Sequence, residues 1–241
     1  MDDSVTLPCG KQLRNRLVKA AMYEAMANFG GGPPTQQHYE LYSRWATGGW
    51  GMIITGGRNP WTPPSAPSAQ PMTPREGILS RLVFSILFQP PHPLDKVEIG
   101  SVVSAFVSGA LVAYDSGFDG IQLHASHGYL LSQFLSIKNN GRTDDYGPPN
   151  ELKLLHDIVS TIRAEPRIPD SFVIGVKLNA GDYAGDQAAE EHALSHVRSI
   201  AAWRKVDFLE ISGGDYESPD KISWEEPVLV RLSFHASPEK P

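Results

Sequence analysis

Three side chains close together in the middle of the chain, His124, His127 and Tyr129, have the right types and spacing to act on a carbonyl group. A neutral imidazole donates one hydrogen bond, so two of them can bind a single oxygen. Two donors at a carbonyl oxygen withdraw electron density from a conjugated C=C bond and stabilise negative charge as it develops. The phenol of Tyr129 can deliver a proton to the carbon beside that carbonyl. These three residues are therefore the candidate catalytic and substrate-binding residues.

The two histidines also allow other interpretations. A histidine near a strand end is often a hydrogen-bonded core residue, and the H-x-x-H spacing of His124 and His127 can be half of a metal site. No cysteine and no clear third ligand lies at metal-site spacing from this pair, so we expect no metal. Tyr129 completes a set of carbonyl donors and proton donor, which favours the catalytic interpretation over the structural one.

The elements around these residues are typical of an α/β barrel. Residues 118–123 form a short apolar run after Gly117, which predicts a buried strand, and an apolar helical turn follows at 130–135. In such barrels the active site lies on the loops that leave the carboxyl ends of the strands. The pattern predicts that place for the three candidate residues.

The stretch GFDGIQLHASHGYLLSQFLS (117–136), followed by RTDDYG (142–147), closely resembles the signature of the old yellow enzyme family, FMN-dependent ene-reductases on a TIM barrel. The resemblance implies that His124 and His127 hold a substrate carbonyl over the flavin and that Tyr129 is the proton donor. It also implies FMN as cofactor, NAD(P)H as reductant, and reduction of the C=C bond of an α,β-unsaturated carbonyl compound.

Two predicted strands near the start of the chain extend the resemblance. Residues 15–22 (NRLVKAAM) predict a strand near 15–21, and residues 50–55 (WGMIIT) predict a second. In the family, the backbone just after each of these strands lies against the flavin; an ordinary buried strand end is the alternative. The residues that the resemblance assigns to FMN here are Ala21, Met22, Tyr23 and Gly56.

Lys177 is the lone charge in the apolar run 172–178 (FVIGVKL), another predicted strand. A lysine that faces a barrel interior must pair with another group. In the family the matching position holds Arg or Lys beside flavin N1 and O2, where its charge stabilises the reduced flavin. We favour that cofactor-binding role for Lys177, and an internal ion pair with a carboxylate is the alternative.

The remaining pattern predicts one α/β domain over residues 1–241, an incomplete TIM-type (β/α) barrel. Parallel pairing follows from the alternation of strands and helices. The third, seventh and eighth strands are not recognisable, and neither is the family's Gly-rich loop for the FMN phosphate. Residues 1–13 are predicted as an irregular lead-in, 59–93 as an atypical insert with an apolar run at 78–88, and 215–241 as an irregular tail. The predicted strands lie near 15–21, 50–55, 118–123, 172–178 and 206–212, with helices at 35–46, 94–116, 150–164 and 190–203.

Composition excludes some classes of partner. The net charge of −6 and pI near 5.7 argue against nucleic acid or an anionic membrane. We find no run near the length of a membrane span and no signal peptide, and the single Cys9 suits a reducing compartment, so we expect a cytoplasmic protein. A homo-oligomer or a completing subunit is a further expectation. A flavin-free enzyme that isomerises or cyclises an enone, and an inactive truncated product, are the alternatives to the ene-reductase.

Overall fold

The computed structural model describes residues 3–22, 35–56, 92–137, 139–179 and 187–212. Two compact units divide the chain, Met1–Pro64 and Ser65–Pro241, and each is described by itself. The predicted apolar element at 78–88, most of the atypical insert and the tail at 215–241 lie outside the described residues. The prediction of a single domain stays a prediction.

The first unit begins with a short antiparallel hairpin of β1 (Val5–Thr6) and β2 (Gln12–Leu13). Gly10, with φ of +86°, closes the turn in a conformation that glycine adopts at no steric cost. Two-residue strands are too short to show an alternating apolar pattern. The prediction of a wholly irregular lead-in is therefore wrong at these residues.

The first unit also contains two parallel strands joined through a helix. The strands are β3 (Val18–Lys19) and β4 (Met52–Ile53), and the helix is α1 (Gln36–Thr47). Thr35 is the N-cap of α1, and its backbone N–H donates to Nδ1 of His38 at 3.0 Å. The paired part of each strand is much shorter than the predicted runs at 15–21 and 50–55.

The second unit is built on a parallel sheet of three strands, β5 (Gly120–Ala125), β6 (Val173–Asn179) and β7 (Phe208–Ser212). Helices α2 (Lys96–Asp115), α3 (Leu130–Leu135), α4 (Lys153–Ala164) and α5 (Gln187–Ala202) alternate with these strands. The apolar stripe of α4 is completely buried with Ile174 and Val176 of β6 in one core. The predicted parallel pairing is confirmed for these strands, with β5 two residues later than the predicted 118–123.

Helix α2 is long and apolar enough to cross a membrane by length and composition alone, which differs from the expectation that no run nears that length. In this fold it packs against α4 and β5 and places Ile99 and Ala110 in the core. Asp95 caps its first turn by accepting a hydrogen bond from the backbone N–H of Glu98 at 2.8 Å. The exposed side of the helix carries large apolar side chains, among them Val97 and Val112.

The RTDDYG segment forms a hydrogen-bonded loop that joins α3 to α4. Arg142 makes a bidentate ion pair with Asp144 and donates to the carbonyl of Leu94 just before α2. Asn140 donates from its amide to the carbonyls of Phe134 and Tyr146, at 2.8 Å each. This part of the signature therefore fixes the chain that leaves α3.

Candidate active site

A row of three polar side chains crosses the sheet of the second unit near the carboxyl ends of its strands. His124 of β5 lies in register with Lys177 of β6, and Lys177 lies in register with Glu210 of β7. Parallel strands with this register hold the three residues at the same level of the sheet. Two residues predicted to share a site, His124 and Lys177, are thus neighbours.

His124 is held as a neutral donor. Burial, followed by the charges of His127 and Lys177, lowers the pKa of His124 to about 4. Its Nδ1 lies 3.3 Å from the backbone nitrogen of Ser126, which donates to it. A neutral ring whose Nδ1 accepts carries its proton on Nε2. The Nε2–H of His124 is therefore a hydrogen-bond donor at neutral pH.

A tight turn brings His127 and Tyr129 back towards His124. His127 and Gly128 both have left-handed backbone, with φ of 58° and 75°, and the backbone N–H of Tyr129 donates to the carbonyl of Ser126. As a result the ring centroids of His127 and Tyr129 lie 5.1 and 4.8 Å from that of His124. The structure brings together the three residues that the sequence singled out, with Tyr129 38% exposed as the N-cap of α3.

The turn is tied to the far strand of the sheet. Nε2 of His127 lies 2.8 Å from Oγ of Ser212, the last residue of β7. This hydrogen bond spans 85 residues of sequence and fixes the orientation of the imidazole. Sequence reasoning missed Ser212, because a serine at a strand end carries no signal that names its partner.

Lys177 makes the ion pair that the sequence analysis kept as its alternative. Its Nζ lies 2.8 Å from Oε1 of Glu210, and the two side chains are 11% and 4% exposed. The other carboxylate oxygen of Glu210 accepts from the amide of Gln122 at 2.7 Å. In the sequence, Glu210 stands out as a glutamate within an otherwise mostly apolar strand. Gln122 is likewise a polar residue within an apolar strand.

The residues predicted to touch flavin through their backbone belong to the first unit, apart from Tyr23, which lies outside the described residues. Ala21 and Met22 follow β3, and Gly56 follows β4, its parallel partner. The backbone N–H of Gly56 donates to the hydroxyl of Tyr42 at 3.0 Å, and Met22 is 52% exposed. Their contact with FMN stays a prediction.

The second unit fits the ring portion of a flavin by the chemistry of its donors. An ammonium that is mostly buried, on Lys177, is a suitable partner for the electron-rich edge of a reduced flavin. Lys177 lies one strand away from His124. A flavin ring bound beside Lys177 would therefore be close to the side chains of His124, His127 and Tyr129. We assign no described residue to the FMN phosphate.

The chain is similar to known flavin enzymes. The family described as "NADH:flavin oxidoreductase / NADH oxidase family" matches residues 64–239. The "NADH-dependent flavin oxidoreductase iliE" of Hypocrea jecorina (strain QM6a) is 32% identical over 279 positions, covering 89% of this chain and 68% of that protein. Because 279 exceeds the 241 residues of the chain, that relative carries internal segments without counterparts here.

Two solved structures share the fold. The old yellow enzyme homologue from Zymomonas mobilis has a TM-score of 0.67 at 20% identity, covering 88% of this chain and 73% of that one. The 2-naphthoyl-CoA reductase complex has a TM-score of 0.72 at 18% identity, covering 90% of this chain and 41% of that one. The predicted fold is confirmed, and the described strands form an α/β arrangement without a closed barrel. The chain therefore belongs to the NADH:flavin oxidoreductase / NADH oxidase family, as a flavin oxidoreductase of the old yellow enzyme type, which implies FMN as cofactor and NAD(P)H as reductant.

Proposed function

We propose that this flavin oxidoreductase reduces the C=C bond of an α,β-unsaturated carbonyl compound. The observation that carries the proposal is the grouping of His124, His127 and Tyr129 at the carboxyl end of β5, beside Lys177. Each of these side chains has a distinct task in such a reaction. Bound FMN, reduced by NAD(P)H, would supply a hydride to the β-carbon of the substrate.

The two histidines bind the substrate carbonyl oxygen. His124 offers its Nε2–H, and the low pKa of the ring keeps it neutral, so the donor does not become a full cation that would bind unrelated anions. In the tautomer that the proposal requires, Nε2 of His127 accepts from the hydroxyl of Ser212 and the ring offers its Nδ1–H to the substrate. The ring lies edge-on to that of His124. Two fixed donors stabilise the negative charge that moves onto the oxygen when the β-carbon receives the hydride.

Tyr129 supplies the proton that completes the reduction. Its phenol transfers a proton to the α-carbon, the enolate electrons form the new C–H bond, and the phenolate then regains a proton from water. The ring is 38% exposed, which gives it access to solvent for that step. Hydride and proton together account for the two hydrogens added to the double bond.

Lys177 places positive charge beside the flavin ring. An ammonium has three N–H donors, so the ion pair with Glu210 leaves donor capacity for a second acceptor. Glu210 holds the ammonium in position while reducing the net charge at the site. Lys177 therefore acts mainly as an oriented hydrogen-bond donor, because Glu210 compensates its positive charge.

The decisive experiment separates the two half-reactions in Tyr129→Phe. We expect flavin reduction by NAD(P)H to be nearly unchanged and reoxidation by an enone to be slowed about 10²–10⁴-fold, because no substrate proton is needed until the second half. Stopped-flow absorbance at the flavin bands measures both rates. Tyr39→Phe, the same change at a 61% exposed tyrosine of α1, is the matched control.

Two outcomes would contradict the proposal. Equal slowing of both half-reactions in Tyr129→Phe would make Tyr129 a structural residue. A purified wild-type protein that reduces flavin with NAD(P)H but passes no electrons to any enone would leave a flavin oxidoreductase with another acceptor.

A further inference from the structure

A second group of titratable side chains lies away from the residues described above, where the chain before α4 meets α5. Oε1 of Glu151 lies 2.8 Å from Nε2 of His192 and 3.3 Å from Nε2 of His196. The two histidines are four residues apart on α5, so they lie on one face of that helix, with ring centroids 4.2 Å apart. One carboxylate thus contacts two imidazoles from a different element.

The distances suit a shared metal ion. One ligand atom from each residue lies within 4.8 Å of the other two. Around a tetrahedral zinc ion with bonds of about 2.0–2.2 Å, ligand atoms are about 3.3–3.6 Å apart. The observed 3.3 Å matches that spacing and 2.8 Å is shorter than it, so Glu151 and His192 must separate slightly to admit an ion.

One carboxylate oxygen of Glu151 has no hydrogen-bond donor in the described part of the chain. Oε2 of Glu151 is buried and has no hydrogen-bond partner among the described residues, although the residue is only 8% exposed. A buried carboxylate oxygen without a partner costs free energy, because it has lost water and gained nothing in return. A cation bound through Oε1 would balance the charge of the whole carboxylate, including the unpartnered Oε2.

The ligand types also suit a cation. Imidazole nitrogens and a carboxylate oxygen are ligands that zinc binds in proteins, and the carboxylate brings negative charge to balance the ion.

We propose that Glu151, His192 and His196 form a binding site for a divalent transition metal ion of the zinc class. Two nitrogens and one oxygen would fill three of four tetrahedral positions and leave the fourth for a water molecule. The His192 side chain is 21% exposed, so the site lies near the protein surface. The ion would join α5 to the start of α4. The expectation of no metal rests on the H-x-x-H pair at 124 and 127 and takes no account of the H-x-x-x-H spacing of His192 and His196 on α5.

The test uses the FMN-loaded full chain after treatment with a chelator and desalting. We expect Co²⁺ to bind at one equivalent with the intense visible bands of tetrahedral coordination, to be displaced by Zn²⁺, and Zn²⁺ to raise Tm. Glu151→Gln and His192→Ala should weaken binding at least tenfold. His156→Ala, at a histidine of α4 with a 42% exposed side chain, is the control that should bind as the wild type does.

Three results would overturn the site. The wild type failing to bind Co²⁺ or Zn²⁺ saturably at micromolar concentrations is the first. Equal affinity in Glu151→Gln, His192→Ala and wild type is the second. If circular dichroism shows that a variant does not fold, the Co²⁺ spectrum of the wild type tests the site instead. A weak spectrum of octahedral Co²⁺ is the third result that would overturn the site. None of these results depends on the ene-reductase proposal, since none measures turnover.

Discussion

Nζ of Lys177 lies 2.8 Å from Oε1 of Glu210 on the neighbouring strand, and neither side chain is more than 11% exposed. An ion pair in this position costs desolvation when the protein folds, and it offsets that cost only while both partners are present. Removal of one partner should therefore destabilise the protein more than removal of both partners together.

Lys177→Met should lower the free energy of unfolding by about 3–5 kcal/mol, because it leaves the carboxylate of Glu210 buried with Gln122 as its remaining partner among the described residues. Adding Glu210→Leu should recover much of that loss. Urea denaturation of the single and double variants measures both effects. Lys96→Met is the matched control, since its pair with Asp145 is 63% and 70% exposed and should be worth less than about 1 kcal/mol. Equal losses at positions 96 and 177 would show that burial of the pair is unimportant.

Ser212→Ala should weaken carbonyl binding without unfolding the sheet. The variant removes the hydroxyl that orients His127, and loss of one neutral hydrogen bond corresponds to about 0.5–1.5 kcal/mol, or up to about tenfold in affinity. Titration of the FMN-loaded enzyme with a phenol, whose phenolate resembles the enolate, measures the change. Ser212→Thr should restore affinity because it keeps the hydroxyl. Weak binding in both variants would mean that Ser212 acts through packing instead.

Stability should fall as pH falls from about 6.5 to 4, in part because of His124. Its pKa is about 4 in the folded protein and near 6.5 when unfolded, so between these values the unfolded state binds the extra proton. After allowance for solvent screening of a partly exposed ring, we expect His124 to account for about 2 kcal/mol of this loss. Urea denaturation at pH 7 and pH 4.5 of wild type and His124→Asn measures it. An identical pH dependence in the variant would contradict this assignment.

Gly175→Ala should destabilise the protein by about 1–3 kcal/mol. Gly175 lies opposite Phe208 on β7, and a methyl group there would overlap the buried Phe208 ring. Gly100→Ala in α2 is the control, because the space there is open and alanine favours a helix by up to about 1 kcal/mol. The melting temperatures of Gly175→Ala and Gly100→Ala, measured by thermal unfolding, compare the two variants. Phe208→Leu in the Gly175→Ala background should recover stability if ring overlap is the cause.

The sequence predicted the site best where chemistry follows a strand directly. The prediction that His124 and Tyr129 lie close together needs only one strand and the loop that follows it, because the two residues are a few positions apart. Lys177 was recognised as a charge that must be paired, yet Glu210 was not named as its partner. That pairing depends on the register of β6 against β7, and this register is set by helices and loops between the strands.

Other features required three-dimensional information from the start. The bond from His127 to Ser212 depends on a left-handed turn and on the position of β7 relative to β5. The hairpin of β1 and β2 is too short to have a period. In the first unit the apolar runs are longer than the paired strands, since only two residues of each run have ladder partners in the described structure.

The left-handed backbone of His127 also sets a compromise between stability and activity. At φ of 58° a side chain with a Cβ is strained, and glycine would relieve about 1–2 kcal/mol. His127→Gly also loses the hydrogen bond to Ser212 and costs chain entropy, so the gains and losses in stability largely cancel, while the proposed carbonyl-binding side chain is lost. A selection of variants by melting temperature alone would therefore not protect the side chain proposed as the second carbonyl donor.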